Sequence, residues 1–497
     1  MKTLPGTERL SWRAFRGGCK VGNIRKSHRK EILSDPVAVF TGLYPDAPDH
    51  QLTTLNELGL RYFEQKRLHK DAQNLSRKIA RKIGEAKRSG NPIDALKAEM
   101  QAQSTRLGKL ADQLAGTRER ILGYFGPADT PGGHGNKAAA FPAGRAYPAD
   151  TAPDREATIS LLGNELEDWN HYVAGNPAAS IYHRAEWRSL IKQSFGQESC
   201  YFIARDKNHT VVGVLPLVRL KSRLFGDFLV SMPYLNYGGA IADHPLIERA
   251  LMEAANAHAA GLGSSHIEYR DNIPRDGWPV RNEKVNMILP LADSENSLWE
   301  GFTPKLRAQI RRPQREGTQV ISAGRECLDD FYSVFVRNMR DLGTPVYGKQ
   351  FFSNMLETFP EECRIIVVRL GNRPVAAGFL LGHRDTLEIP WASTIRDVNH
   401  LGVNMLLYWE ALKYALRKGY KYFDFGRYTR DSGTYRFKQQ WGARPMQLHW
   451  HYWLDENNEL PTINPDNPRY ALAISIWKHL PLFVTRLVGP HIIKNIP

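Results

Sequence analysis

Two stretches of this 497-residue chain follow one plan, and that duplication limits the architecture more than any other feature. Tyr201 to Leu220, YFIARDKNHTVVGVLPLVRL, reads as strand, polar turn, strand; Arg364 to Gly382, RIIVVRLGNRPVAAGFLLG, reads the same way. Each is followed by a helical segment and another strand, RALMEAANAHAAGLGSSHIEYRD in the first copy and LLYWEALKYALRKGYKYFDFGR in the second. Strand hairpins that feed a helix and a further strand build α/β layers, so the expected fold class is α/β with two copies of one unit.

The chain ahead of the repeat is of another kind. From Leu55 to Phe125 the pattern is helical: Ile93, Leu96, Met100, Gln103, Leu107, Leu110, Leu114, Thr117, Ile121 and Tyr124 alternate spacings of three and four, a coiled-coil seam. A preceding helix carries Leu68, Ala72, Leu75, Ile79, Ile83 and Ala86. Between them Ser89-Gly90-Asn91-Pro92 supplies a stop, a turn and a proline start, which predicts an antiparallel helical hairpin. The expected order is a basic segment over 1–54, the hairpin over 55–125, a Gly/Pro/Ala linker over 126–155, units over 156–298 and 299–455, and a helical tail over 456–497.

Charge divides unevenly along this order. The net charge is +15, and residues 1–130 hold 24 Lys and Arg against 14 Asp and Glu, so +10 of it lies ahead of the linker. Such a front suits phosphate-rich partners, RNA or nucleotide-sugars or anionic lipid heads; a solvated basic face is the plainer reading. Hydrophobic residues at 42% exclude a disordered chain. Cys19, Cys200, Cys327 and Cys363 are far apart, which argues against disulfide or metal frameworks, and no metal is expected. Met1 to Phe15 has no apolar signal core and no apolar run reaches membrane-spanning length, so the expected location is the cytoplasm, with contact at the inner face of the membrane left open.

Chemistry-bearing residues gather in the second copy. In WEGFTPKLRAQIRRPQREG, Arg307, Arg311 and Arg315 recur every four residues and would form one cationic stripe on a helix, suited to phosphate or simply to solvent. At or past the ends of the expected strands lie Ser393, Asn404 at the start of the next helix, then Arg427, Tyr428 and Lys438 in FDFGRYTRDSGTYRFKQQWG, with Trp391 and Asp424 inside the strands themselves. Ligand crevices of α/β sheets open at such strand ends. In the first copy, Tyr234, Asn236 and Tyr237 of SMPYLNYGG could line a sugar site, although turn chemistry explains the same residues. His449 and His451 alternate with Trp450 and Trp453 on a strand, a pattern of aromatic core. The tail from Tyr470 to Pro497 mixes Trp477, Phe483 and Leu487 with Lys478 and Arg486, and either packs on the preceding domain or touches a membrane surface.

Two resemblances follow from these segments. NLSRKIARKIGEAKRSGNPIDALKAEMQ resembles the N-terminal arm of seryl-tRNA synthetases, a hairpin that in that family grips tRNA. WEGFTPKLRAQIRRPQREG, LGTPVYGKQFF, PVAAGFLLG, NHLGVNMLLYWEALKYALRKGYKYFDFGR and GTYRFKQQWGARP resemble the FemAB family, in its branch associated with exopolysaccharide and protein-sorting (PEP-CTERM) loci, over about residues 156 to 492. This likeness implies two tandem GNAT-like acyltransferase domains and aminoacyl transfer from aminoacyl-tRNA to an amine on a peptidoglycan or exopolysaccharide precursor, nucleotide-linked or lipid-linked, with no bound cofactor. By the same carry-over Lys438 stabilises the tetrahedral intermediate, and Arg307 and Arg311 face the acceptor's phosphates.

A physical mechanism stands beside it. An acyl ester is already activated, so the enzyme must hold an amine in line, remove its proton and stabilise an oxyanion. Lys438 is the expected charge, and Tyr428 or Asp424 the expected proton relay; Arg315, Trp391, Ser393, Asn404, Arg427 and Tyr237 complete the expected substrate contacts. Pro313 interrupts the arginine helix and is expected to bend it. Acyl-CoA is the alternative donor, although Arg396 to Gly402 lacks the Q/R-x-x-G-x-G/A spacing. A non-catalytic protein that binds tRNA or a partner through the arm is the alternative from another class.

Overall fold

The computed structural model describes residues 32–43, 49–89, 92–123, 157–223, 225–275, 277–429, 433–456, 458–461 and 468–497. The chain divides into two compact units, Met1–Gly133 and His134–Pro497. The first 31 residues of the basic segment, the turn at Gly90-Asn91, Tyr124 and the 126–155 linker lie outside the described residues.

In the first unit the helices Asp49–Arg88 and Asp94–Gly123 pack along one another as a hairpin, about 60 and 45 Å long. The short helix Pro36–Leu43 joins them, and Val39, Phe40, Leu55, Leu58, Tyr62 and Ile121 close a small core at the open end. Every expected seam position from Ile93 to Ile121 is buried or half-buried. In the first helix the seam runs one position away from the leucines: Tyr62, Gln65, His69, Ala72, Ser76 and Ile79 turn inward, while Leu68 and Leu75 are exposed. The middle of the seam is polar, with Gln103 Nε2 donating to the Ala72 carbonyl at 2.8 Å, so hydrophobicity alone placed the leucines on the wrong side.

The second unit holds the two copies. The first contributes a four-stranded sheet, in the order Thr158–Leu161, Phe202–Arg205, Val211–Leu215, Ile241–Ala242, and the parallel pair Gly226–Val230 and His266–Asp271, joined through the helix Pro245–Gly261. The second contributes Thr318–Ala323, Cys363–Leu370, Arg373–His383, Thr386–Thr394 and Tyr422–Thr429; its last two strands are parallel and joined through the helix Val403–Arg417. Strand, helix and parallel strand thus recur in the order expected from the duplication.

Two strands cross between the copies. Lys284–Pro290, from the first, lies between Tyr422–Thr429 and Arg444–Gln447 in the seven-stranded sheet of the second. His449–Leu454, from the second, lies between His266–Asp271 and Val280–Arg281 in the six-stranded sheet of the first. A cut at 298/299 follows chain order, yet each sheet is completed from across it. One continuous apolar core, from Trp169 and Trp187 to Phe331, Phe352, Phe423 and Trp441, runs through both copies.

Candidate active site

The parallel strands Thr386–Thr394 and Tyr422–Thr429 stay paired only through Thr386↔Tyr422, Leu387↔Phe423 and Glu388↔Asp424. Beyond that point they part, Ile389–Thr394 continuing against Arg373–His383 and Arg427–Thr429 against Lys284–Asn286. Each strand bulges where it leaves: one extra residue lies between Glu388 and Trp391, beside Pro390, and one between Asp424 and Arg427, at Gly426. Gly426 has φ +87°, a conformation that glycine adopts without strain, and Pro390 has no N–H to lose from a ladder.

An extra residue turns the side chains after it to the opposite face. Glu388, Trp391 and Ser393 therefore share a face with Asp424, Arg427 and Asn286, directed toward the first copy. Phe425 and Tyr428 point the other way, toward the helix Val403–Arg417.

On the first face two carboxyls meet at the fork, Glu388 at 3% exposure and Asp424 at 0%. Tyr182 Oη donates to Glu388 Oε2 at 2.5 Å, and the Asn236 amide donates to Glu388 Oε1. Asp424 accepts from Asn286 Nδ2 at 3.0 Å and from the Gly426 N–H at 2.7 Å, and Tyr237 bonds it as well. All these partners are neutral. Burial, with Arg427 as the charge that opposes it, leaves the Glu388 pKa pushed up to about 7; burial and then the neighbouring Glu388 push Asp424 well above the ordinary carboxyl range. Such a pair titrates as one system.

Asn236 and Tyr237 come from the loop between Val230 and Ile241, where Met232 and Tyr234 hold φ of +63° and +71°. Side chains other than glycine are strained there, and strain of this kind collects at functional sites. Gly239, with φ +92°, admits no side chain, because a Cβ would lie 2.3 Å from Asp271 Oδ1.

Arg427 stacks on Trp450 with its Cζ 4.6 Å from the ring, and Arg270 stacks on the same ring at 4.5 Å. Arg427 Nη1 is buried without a hydrogen-bond partner among the described residues, and burial followed by Arg270 lowers its pKa to about 10. Trp391 packs among Tyr347, Phe351, Phe352 and Phe379, and Ser393 accepts from Asn338 Nδ2 at 3.2 Å, so both support the sheet on this face.

The first copy shows what the fork looks like when its charge is neutralised. Glu268 occupies the matching place on its strand, opposite Val230 rather than a second carboxyl. Arg270 Nε donates to it at 2.7 Å and Tyr452 Oη at 2.6 Å, and despite burial these partners hold it below the usual carboxyl range. Asn286 and Tyr452, one in each fork, both lie on exchanged strands. In the second fork, among the described residues, no cation is hydrogen-bonded to either carboxyl.

Lys438 lies on the other face. It is 2% exposed, on the helix Gly433–Gln439, with Nζ 3.3 Å from the Tyr408 ring centroid, 4.8 Å from Phe437, 4.9 Å from Phe425 and 5.6 Å from Tyr428. Nζ has neither hydrogen-bond nor carboxylate partner among the described residues. Burial pushes its pKa well below the ordinary value, and the ring faces, worth about 0.5–2 kcal/mol each, oppose this in part. The expected positive charge at Lys438 is thus held without a counter-ion among the described residues, and burial weakens it. Tyr428 donates to the Phe425 carbonyl at 2.8 Å, and Asn404 stands half-buried in the first turn of the helix Val403–Arg417.

The arginine stripe forms as expected on the helix Pro304–Arg315, which packs against Val403–Arg417 through Leu306 and Ile310. Arg307 is half-buried, Arg311 and Arg315 are exposed, and Arg311 lies 5.0 Å over Trp299. Pro313 sits in the last turn, so the helix continues past it to Arg315 and the expected interruption is displaced to its end. His451 is buried between Asp271 and the Arg275 N–H. Among the described residues no cluster of His, Cys, Asp and Glu is arranged to hold a metal ion.

Thus the expected residues fall into two groups. Asp424, Arg427, Trp391, Ser393 and Tyr237 share one face of the fork; Lys438, Tyr428, Asn404 and the arginine helix belong to the other. Glu388 was missed, although an acid inside the apolar run LEIPWAS was its signal. Asn286 gave a similar signal in KVNMILP.

Residues 304–439, which include the fork, match the family model described as an acetyltransferase (GNAT) domain. No curated protein matches. Among solved structures the chain is similar to FemX, with 14% identity, 58% of this chain and 96% of that one covered, and a TM-score of 0.46. It is also similar to the C-terminal domain of a putative lysylphosphatidylglycerol synthetase from Agrobacterium fabrum, at 11% identity, 62% and 94% coverage and a TM-score of 0.42. A tandem GNAT protein from the clavulanic acid biosynthesis pathway has 12% identity, 62% and 100% coverage and a TM-score of 0.40. The chain is an acyltransferase of mixed α/β fold whose residues 304–439 match the GNAT domain.

Proposed function

We propose that the chain transfers an aminoacyl group from aminoacyl-tRNA to an amine of a peptidoglycan or exopolysaccharide precursor. The carrying observation is the carboxyl pair Glu388–Asp424, buried at the fork, with the Glu388 pKa pushed up to about 7 and no cation bonded to either carboxyl among the described residues. A base tuned in this way is suited to deprotonate an amine during attack. In the step proposed, the amine nitrogen forms a C–N bond to the ester carbonyl, its proton passes to the carboxyl pair, and the C–O bond breaks as the tRNA hydroxyl leaves with a proton. Lys438 approaches from the opposite face, where the two strands part, and by the FemAB likeness donates an N–H to the oxyanion of an ester lying in that gap.

Supporting the tRNA donor are the FemAB-like segments, the basic excess of +10 ahead of residue 131, and the helix Pro304–Arg315, which carries five cations and no acid. A second reading has its own observation. The helix Val403–Arg417 starts after Gly402, at φ +75°, with no side-chain cap, and an open helix N-terminus suits the pyrophosphate of an acyl-CoA.

Purified protein incubated with labelled aminoacyl-tRNAs, or with labelled acetyl-CoA, in the presence of envelope amines separates the two. Amide formation with tRNA discharge is expected; transfer from the CoA ester alone rejects the tRNA donor. Lys438→Met is expected to lower turnover by about a hundredfold or more while raising stability on the order of 1–3 kcal/mol, since it removes an unpartnered buried amine. Unchanged turnover takes Lys438 out of the site.

A further inference from the structure

The helix Leu482–Ile493 reverses the pattern by which helices normally bury themselves. Its inward positions, four apart, are Thr485, Gly489 and Ile493, all buried. Gly489 lies so close to the protein that a Cβ would stand 2.9 Å from the Val346 nitrogen. The helix is held at its end as well, because the Lys494 carbonyl accepts from Tyr234 Oη at 2.6 Å and from Gln197 Nε2 at 2.8 Å. Its rotation is therefore set by small residues and hydrogen bonds. Phe483 and Leu487, also four apart, are left outward at 72% and 70% exposure, the highest values for large hydrophobic side chains among the described residues. Arg486, Val488 and His491 are exposed with them. A helix that served only to pack would bury the phenylalanine and leucine and show its threonine to water.

We propose that this outward face docks on an anionic lipid bilayer, with Phe483 and Leu487 entering the headgroup boundary and the flanking cations lying against lipid phosphates. Charge selects this occupant. Residues 468–497 carry four Lys and Arg and no Asp or Glu, and Lys478 and Arg486 are exposed, so two copies of these helices would bring like charges together with no acid of their own to pair them. An anionic surface satisfies both the apolar and the basic side chains. The helix lies on the bilayer and does not cross it: 12 residues extend about 18 Å against a hydrocarbon core of about 30 Å, and no described helix is long and apolar enough to span. Docking requires neither the tRNA donor nor the carboxyl mechanism, so its failure is separable from theirs.

The test is co-sedimentation of the full chain with phosphatidylcholine vesicles, with and without phosphatidylglycerol. The wild-type protein is expected to bind the anionic vesicles, and Phe483→Ser/Leu487→Ser to bind them at least about tenfold more weakly. The double variant keeps the net charge, so binding by any other basic region cancels in the comparison. Both substituted side chains are exposed, and circular dichroism checks that the fold persists. Lys478→Glu/Arg486→Glu is expected to weaken binding as well. Equal binding of wild type and Phe483→Ser/Leu487→Ser overturns the proposal, and so does wild-type dimerisation in sedimentation velocity that this variant abolishes.

Discussion

Two carboxyls pressed together away from water cannot both ionise cheaply, because neutral donors such as Tyr182, Asn236 and Asn286 replace only part of the lost hydration. That cost links catalysis to stability at the scale of single residues. Folding raises the Glu388 pKa from 4.5 to about 7, so between these values the folded protein holds a proton that the unfolded chain releases. Its stabilising contribution is complete below about pH 4.5 and is lost as pH rises through about 7. Melting curves from pH 5 to 8 should therefore show wild-type stability falling relative to Glu388→Gln, by on the order of 1–3 kcal/mol. Over the same range activity should rise as the base is freed; parallel stability curves for the two proteins would remove Glu388 from this role. The sequence made Asp424, Arg427 and Tyr237 candidates, since each stands near the end of a strand or in a loop. It did not single out Glu388, because nothing in EIPWAST states which strand will lie alongside.

At the scale of elements, the bulges decide which side chains can meet. One extra residue at Gly426 turns Arg427 to the face of Asp424 and sends Tyr428 toward Lys438. Gly426→Ala places a side chain at φ +87°, where about 1–2 kcal/mol of strain is expected. The variant should melt lower by that amount and lose activity out of proportion, as Arg427 moves off Trp450; calorimetry and a turnover assay on one preparation read both. Activity that falls only with the folded fraction would mean the bulge has a purely structural role. The hairpin of the first unit shows the same dependence on neighbours. Its period was legible and its turn chemistry located the break, but the seam of the first helix passes through Gln65, His69 and Ser76, which periodic leucines do not reveal.

For the whole molecule, the exchanged strands make the two copies one folding unit. Lys284–Pro290 is an inner strand of the second copy's sheet, and His449–Leu454 an inner strand of the first copy's. Residues 134–497 should accordingly unfold in a single calorimetric transition, and fragments cut at 298/299 should fail to fold apart and recover structure when refolded together. Two separate transitions would show that the copies are independent.

Duplication, the α/β class, the helical hairpin and the candidacy of Asp424, Arg427 and Tyr237 were determined by the sequence, because hydrophobic period, turn chemistry and strand-end polarity act over a few neighbouring residues. Which carboxyls face one another, which strands complete which sheet, and that Lys438 is enclosed by aromatic rings were decided only by the tertiary structure. Register, bulges and burial depend on contacts between segments more than a hundred residues apart, such as Tyr182 with Glu388, and no local pattern encodes them.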